Sequence, residues 1–240
     1  MADTPRQGSI IVTGASKGIG RAVVLELERR GYAVYGLSRS GVSPGARALV
    51  CDVTDEDVVR ECFARIAEQG PVQGLVNNAG VHLGGPTRSL PTREFEAVMR
   101  LNVTAVMICS REVYPYLRER GGGRIVNMGS FFDRMGVPHN LAYCASKAAV
   151  AALTRCLAVE WARDRINVVN VAPGYVATEL NEAYLGRESV RRWMAERVPW
   201  EGRPGTPEEV GRLVASLFVE DVPYLTGETI YMDGAHGVNH

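Results

Sequence analysis

Short apolar runs alternate along this chain with amphipathic stretches. "SIIVT" (9–13) is apolar and β-branched and predicts a buried strand. Glycines follow, then "RAVVLELERRG" (21–31), with apolar positions at helical spacing and a Gly at its end. Further strands are predicted at "AVYGLS" (33–38), "ARALVCDV" (46–53), "VQGLVNNAG" (72–80), "GGRIVNMGS" (122–130), "RINVVNVAPG" (165–174) and "GETIYMDG" (227–234). "DEDVVRECFARIAEQG" (55–70) predicts a helix with acids in its first turn. Other helices are predicted over about 92–120, over 142–163 and near 207–219, with a kink or break near Pro115.

Strand and helix thus alternate over the whole length, which implies α/β architecture. The expected fold is a doubly wound, Rossmann-type, mostly parallel seven-stranded sheet, with helices on both faces and right-handed crossovers. Residues 1–240 show no linker or repeat, so a single domain is the simplest organisation.

Composition narrows the function classes. The formal net charge is zero, which gives no electrostatic reason to expect nucleic acid or an anionic membrane as a partner. "MADTPRQGSIIVTG" lacks the charge and apolar pattern of a signal peptide, and no run of 18 apolar residues predicts a membrane span. The five cysteines are scattered, form no CxxC and have no metal-ligand spacing with the four histidines. Reduced thiols in a cytoplasmic protein without a metal are the expectation.

In open parallel sheets ligands sit beyond the carboxyl ends of the strands. The notable residues all fall there: "TGASKGIG" (13–20), "SR" (38–39), "CDV" (51–53), "NNAG" (77–80), "GS" (129–130) and "APGYVAT" (172–178). In the first, Gly14, Gly18 and Gly20 lie between a strand and a helix; this permits a tight turn and close approach of a pyrophosphate to helix N–H groups.

With these motifs the chain resembles the short-chain dehydrogenase/reductase family, and its 3-oxoacyl reductase-like carbonyl reductases in particular. The resemblance rests on "TGASKGIG", "NNAG", Asn102 in "RLNVTAV", Ser130 in "IVNMGS", Tyr143 and Lys147 in "YCASK", and "PGYVAT". It implies a nicotinamide cofactor and a carbonyl or alcohol substrate. It further implies that Asn102, Ser130, Tyr143 and Lys147 are catalytic, with Ser130 on the substrate oxygen and Asn102 holding a water that links Lys147 to solvent. The cofactor is expected against Gly14, Ser16, Lys17, Gly18, Ile19, Gly20, Ser38, Arg39, Asp52, Val53, Asn78, Ala79, Gly80, Tyr143, Lys147, Pro173, Gly174, Val176 and Thr178. Asp52 is open to a second reading as a cap for the helix beginning near 54–55.

Lysine itself is informative. Of 27 basic residues only Lys17 and Lys147 are lysine. Tyr143 and Lys147 are four apart on a predicted helix and share a face. A nearby cation favours the phenolate and is expected to bring the tyrosine pKa down from about 10. A slim ammonium suits that position better than a planar guanidinium. At the second strand end, "GLSRS" carries Ser38 and Arg39 where an NAD site usually has an acid; that predicts NADP(H).

Residues 179–205 fall where the family has its variable substrate lid, and Tyr184, Trp193, Met194 and Trp200 are candidates to close it. Phe131, Phe132, His139 and Asn140 are candidate pocket residues, and Arg124, Arg163 and Arg165 candidate contacts for a carrier-linked acyl substrate. Three functions stay open: an NADPH-dependent ketone or 3-oxoacyl reductase, an alcohol, polyol or sterol dehydrogenase, and a non-catalytic nucleotide-binding regulator. A homotetramer is expected by resemblance.

Overall fold

A computed structural model describes residues 8–43, 45, 47–179, 181–220 and 222–239. The residue Ala46 of the expected third strand, Leu180 of the expected lid, and the first seven residues lie outside that set.

Seven strands form one sheet: β1 (Ser9–Thr13), β2 (Ala33–Ser38), β3 (Arg47–Val50), β4 (Val72–Asn77), β5 (Gly123–Met128), β6 (Ile166–Pro173) and β7 (Thr229–Met232). Their order is β3-β2-β1-β4-β5-β6-β7, and every neighbouring pair is parallel. The sheet is therefore wholly parallel where the sequence predicted it mostly so. Successive residues of β1 point to opposite faces. Ile10 and Val12 join one core with Val23 and Leu27 of helix α1 (Gly18–Arg29) and Val214 of helix α8 (Pro207–Val219). Ile11 joins the other with Phe63 of α2 (Glu56–Ala67), Val113 of α4 (Ala105–Glu119) and Trp161 of α5 (Leu141–Trp161). Strands buried on both faces read as unbroken apolar runs, which is why "SIIVT" shows no alternation.

Two local expectations change. The helix predicted over 92–120 is interrupted at Arg100–Thr104, not at Pro115. There a π turn joins α3 (Thr92–Met99) to α4. Pro115 lies on the exposed side of α4, where water can take the carbonyl that a proline leaves without its helical donor, and the helix runs on to Glu119. Helix α2 is capped by Asp55, whose carboxylate accepts from the Asp57 and Val58 N–H groups at 3.1 and 3.2 Å. Asp52 instead holds Thr54, by its N–H and its hydroxyl.

Among the described helices, Leu141–Asp164 is long and apolar enough to cross a membrane by length and composition. The expectation drawn from apolar runs missed it because alanines carry much of its apolar character. In the fold it is an interior helix: Ala142, Ser146, Lys147, Val150, Ala151, Thr154 and Ala158 are buried.

Buried polar groups tie the layers. Asn77 Nδ2 on β4 donates to Asn127 Oδ1 on β5 at 2.9 Å and to Ser110 on α4 at 3.0 Å. Asn127 Nδ2 donates to Thr154 on α5 at 2.9 Å. All four residues are essentially inaccessible, and all are paired. This network fixes α4 and α5 on the sheet directly beneath the carboxyl edge.

Candidate active site

The turn after β1 begins with Gly14 in the left-handed region (φ 66°), where a Cβ would stand 2.9 Å from Ala79 Cα. Gly20, inside the first turn of α1, packs so closely that a Cβ would overlap the Gly14 carbonyl oxygen. Lys17 is the N-cap of α1; it is extended, exposed and makes no side-chain cap, so the first N–H groups of the helix take no partner from it. Ser16, Gly18 and Ile19 complete the loop, and Thr178 Cγ2 lies 3.4 Å from the point where a Gly18 side chain would start. The glycine loop and the segment after β6 thus face each other. This cradle of free helix N–H groups and small residues fits a dinucleotide pyrophosphate.

Thr13, the last residue of β1, was not singled out in the sequence, yet it organises this edge. Its hydroxyl accepts from the Asn78 and Ala79 N–H groups at 2.9 and 3.0 Å and donates to the Val76 carbonyl at 3.3 Å. Asn78 Nδ2 answers by donating to the carbonyls of Thr13 and Gly14. Asn78 therefore braces the sheet, with its amide committed to backbone. Gly80 follows on the surface.

At the end of β2, Ser38 is buried, its hydroxyl engaged with the Val42 carbonyl at 3.1 Å, while Arg39 is exposed. Thr54 holds the Asp52 carboxyl below the usual carboxylate range, with smaller help from Arg39 and Arg100. Val53 is buried beside Thr13 and Ala79. Pro173 pairs with Met232 in the sheet, and Gly174 N–H donates to the Met232 carbonyl at 3.0 Å. Val176 is buried, and Thr178 is held by Asn181 Oδ1.

Three of the four expected catalytic residues meet: Ser130 hydrogen-bonds Tyr143, and Lys147 lies against the same ring. Ser130, just past β5, is buried and its oxygen accepts from Phe132 N–H at 3.3 Å. Lys147 is 7 % exposed; its Nζ donates to the Met128 carbonyl at 2.7 Å and lies 5.4 Å from the centre of the Tyr143 ring. Asn102 sits in the π turn. Its Oδ1 accepts from Val81 N–H at 2.8 Å, and its Nδ2 donates to the Val81 carbonyl at 2.9 Å and to Ser146 at 3.1 Å. The side chain thus pins the chain after "NNAG" to α5.

The electrostatics differ from the expectation. Burial pushes the Tyr143 phenol up to about 12, against a lowering by its hydrogen bond with Ser130. Burial also brings Lys147 down to about 8. Lys147 does not lower the tyrosine here, because its ammonium is turned to the Met128 carbonyl and desolvation outweighs the rest. At neutral pH the arrangement holds a protonated phenol beside a cation.

Around Tyr143 is a wall of rings. His82 meets it edge-on at 4.7 Å and Phe132 at 5.9 Å. Phe132 and Phe131 pack on Tyr175, and Tyr175 packs on Trp193. His82, Tyr175 and His236 were not predicted; Tyr175 lay in plain view inside "PGYVAT", whereas nothing local marked the other two. Asn140 bonds the His82 ring, and His139 takes a positive φ of 67° and accepts from Gly85 N–H at 2.8 Å. Helix α6 (Glu182–Leu185) and helix α7 (Glu188–Arg197) carry the lid candidates. Met194 is buried with Leu185, Val190 and Val198, whereas Tyr184 and Trp200 are exposed. The candidate carrier contacts do not reach this edge. Arg124 is buried near the start of β5 and donates to the Val222 carbonyl, and Arg163 and Arg165 precede β6 at the opposite edge of the sheet.

A folded-state value near 8 for Lys147, below its ordinary 10.5, means that the unfolded chain binds more protons between those pH values. The charge therefore costs stability at pH 7, roughly 3 kcal/mol, and the cost fades as pH rises from about 8 to 10.5. Lys147→Met is expected to remove that rise. Urea midpoints of both proteins from pH 7 to 10.5 measure it, and parallel profiles would contradict the buried-charge description.

The pattern that defines the short chain dehydrogenase family matches residues 9–188. The chain is 33 % identical over 234 residues to the 3-oxoacyl-[acyl-carrier-protein] reductase MabA of Mycobacterium tuberculosis, covering 97 % of this chain and 94 % of that protein. It is 35 % identical over 240 residues to a glucose 1-dehydrogenase of Gluconobacter oxydans, covering 94 % and 90 %. Its fold superposes with a TM-score of 0.90, at 28 % identity and over 97 % and 96 % of the two chains, on a gluconate 5-dehydrogenase from Burkholderia cenocepacia in complex with NADP and tartrate. With its glycine turn, its parallel sheet and its clustered Ser130, Tyr143 and Lys147, the chain belongs to the short chain dehydrogenase family of oxidoreductases.

Proposed function

We propose that this protein is an NADPH-dependent carbonyl reductase acting on a ketone or a 3-oxoacyl compound. The convergence of Ser130, Tyr143 and Lys147 at the carboxyl edge supports it most directly. A bound nicotinamide cofactor supplies the hydride. Ser130 then hydrogen-bonds the substrate oxygen as negative charge develops there. Tyr143, neutral at working pH, gives that oxygen a proton. The Lys147 ammonium stabilises the phenolate left behind. Asn102 acts at a distance from the reacting atoms by holding Val81 and Ser146 in place. Run backwards, the same groups oxidise a secondary alcohol. The likeness to a glucose 1-dehydrogenase favours that second reading, in which a polyol or sugar is the substrate.

The reading takes the chain as one domain, with the cofactor across the glycine loop, Ser38–Arg39, Asp52–Val53, Asn78–Gly80 and Pro173–Thr178, and with 179–205 as lid. Absence of disulfides among the described cysteines suits a reducing cytoplasm. The exposed face of α5, with Ala148, Ala152 and Val159, suits packing of copies into a homotetramer.

Tyr143→Phe keeps the ring and removes the proton donor. NADPH affinity, read by fluorescence titration, should hold while turnover falls by about 10²-fold or more. Lys147→Arg should fail as well; near wild-type turnover of the arginine variant would defeat the role given to the ammonium.

Cofactor preference rests on Arg39, exposed just past the end of β2, whose guanidinium would suit a 2′-phosphate, with exposed Lys17 on the neighbouring loop as a second cation. The wild-type protein should favour NADPH, and Arg39→Asp should shift the ratio of kcat/KM values toward NADH by about tenfold or more. Equal use of both cofactors by the wild type would rule the assignment out.

A further inference from the structure

Two loops frame Tyr143. One leaves the sheet after β4 and carries His82; the other, 136–140, leads into α5. The Gly85 N–H donates to the His139 carbonyl at 2.8 Å, and His82 Nε2 meets Asn140 Oδ1. Gly84 permits this approach: a Cβ there would stand 3.1 Å from the His139 carbonyl oxygen and 3.4 Å from Asn140 Oδ1. His139 takes its left-handed backbone at the same point, a conformation that a side chain disfavours. The two loops are thus stitched together directly before Tyr143.

Asn140 commits its side chain to this junction. It stands at the N-terminus of α5, where an asparagine oxygen usually accepts from a free helix N–H. Here it caps none. Its Nδ2 donates to the Pro138 carbonyl at 2.8 Å, which turns Oδ1 toward His82. An amide oxygen only accepts, so His82 Nε2 carries a proton and the imidazole is held at one angle. That ring meets Tyr143 edge-on at 4.7 Å. On the main chain, the Ser146 hydroxyl donates to the Tyr143 carbonyl at 2.7 Å, which fixes the backbone and leaves the tyrosine ring to be held by its neighbours. His82 is exposed, so its bond with Asn140 lies within reach of water and adds little to global stability.

We propose that His82 and Asn140 are positioning residues: Asn140 fixes the imidazole, and the imidazole fixes the Tyr143 ring with its hydroxyl at Ser130. This rests on the carbonyl reductase reading above, in which Tyr143 gives the proton. Proton transfer needs donor and acceptor within a narrow range of distance and angle, and a displacement of about 1 Å lowers a rate by up to about 10²-fold. The phenol oxygen is the far end of its side chain and moves furthest when the ring turns. The latch acts through the ring and need not touch substrate or cofactor.

A double-mutant cycle tests the latch, with NADPH and the keto ester ethyl 3-oxobutanoate. His82→Ala and Asn140→Ala should each lower kcat about tenfold, and the two together no further than either. Asn140→Asp, which keeps an acceptor for Nε2, should restore most of the rate. NADPH affinity, KM and the urea midpoint should hold throughout. Losses that add, a loss confined to KM, or a fall in kcat matched by a fall in the urea midpoint would overturn the inference; the last marks a structural role only. A crystal structure of His82→Ala reads the ring itself: the Tyr143 hydroxyl should leave Ser130, and a ring that keeps its place would overturn the latch whatever the kinetics. The parent reading is tested apart, by whether wild-type reduction of the ester occurs and falls with Tyr143→Phe. If the wild type does not reduce it, that reading fails for keto esters and the crystal structure alone decides the latch.

Discussion

Every strand in this sheet runs the same way, and the rest of the molecule follows from that constraint. Parallel neighbours cannot be joined by tight hairpins, so each connection crosses a face of the sheet and covers it. Both faces of the inner strands are then buried, while β3 at the edge stays largely exposed, and all seven carboxyl ends come out along one edge. The turn of Gly14, the Ser38–Arg39 corner, the "NNAG" segment, Ser130 and the Pro173–Gly174 turn stand in a row there without any one of them specifying the others. The Asn77–Asn127 hydrogen bond reinforces the row at its centre, since it lies one strand residue or so below the points where β4 and β5 let go of the sheet.

Burial does the electrostatic tuning. Tyr143 and Lys147 feel the same low-dielectric surroundings, and these move them in opposite directions: the acid becomes weaker and the ammonium gives up its proton more easily. Both shifts oppose charge. A site built this way keeps its proton on the phenol until charge appears on a bound partner, and the cation waits against a backbone carbonyl in the meantime.

Much of this was legible in the residues. Strand positions and most of the helices follow from the alternation of apolar runs, and the candidate catalytic set from motifs whose spacing is fixed by single elements: "YCASK" is one helical turn, and "TGASKGIG" is one strand-to-helix junction. What escaped was whatever depends on distant segments meeting. Thr13 reads as an ordinary strand residue until "NNAG" arrives beside it. His82 and His236 are some 150 residues apart in sequence and share one ring wall in space. Arg124, a candidate carrier contact in the sequence, is buried in the fold, where its guanidinium donates to the Val222 carbonyl. The direction of the tyrosine shift was misjudged for a related reason: sequence shows the neighbouring charge but not how dry the pair is.

The wide turn at Arg100–Thr104 was also invisible, because π winding has no composition of its own. Its consequence is one of phase. An α-helix advances about 100° per residue, so the extra residue in this turn rotates α3 relative to α4 and lets each keep its own apolar side inward, with Val98 sealed on one and Val113 on the other. Asn102, caught in the widened loop, is free to reach sideways to Val81. The segment behaves as a spacer with a set length. Losing one residue would swing the preceding helix by about 100° and carry Val98 away from the core, so at this point of the chain the fold depends on the count of residues as well as on the identity of Asn102.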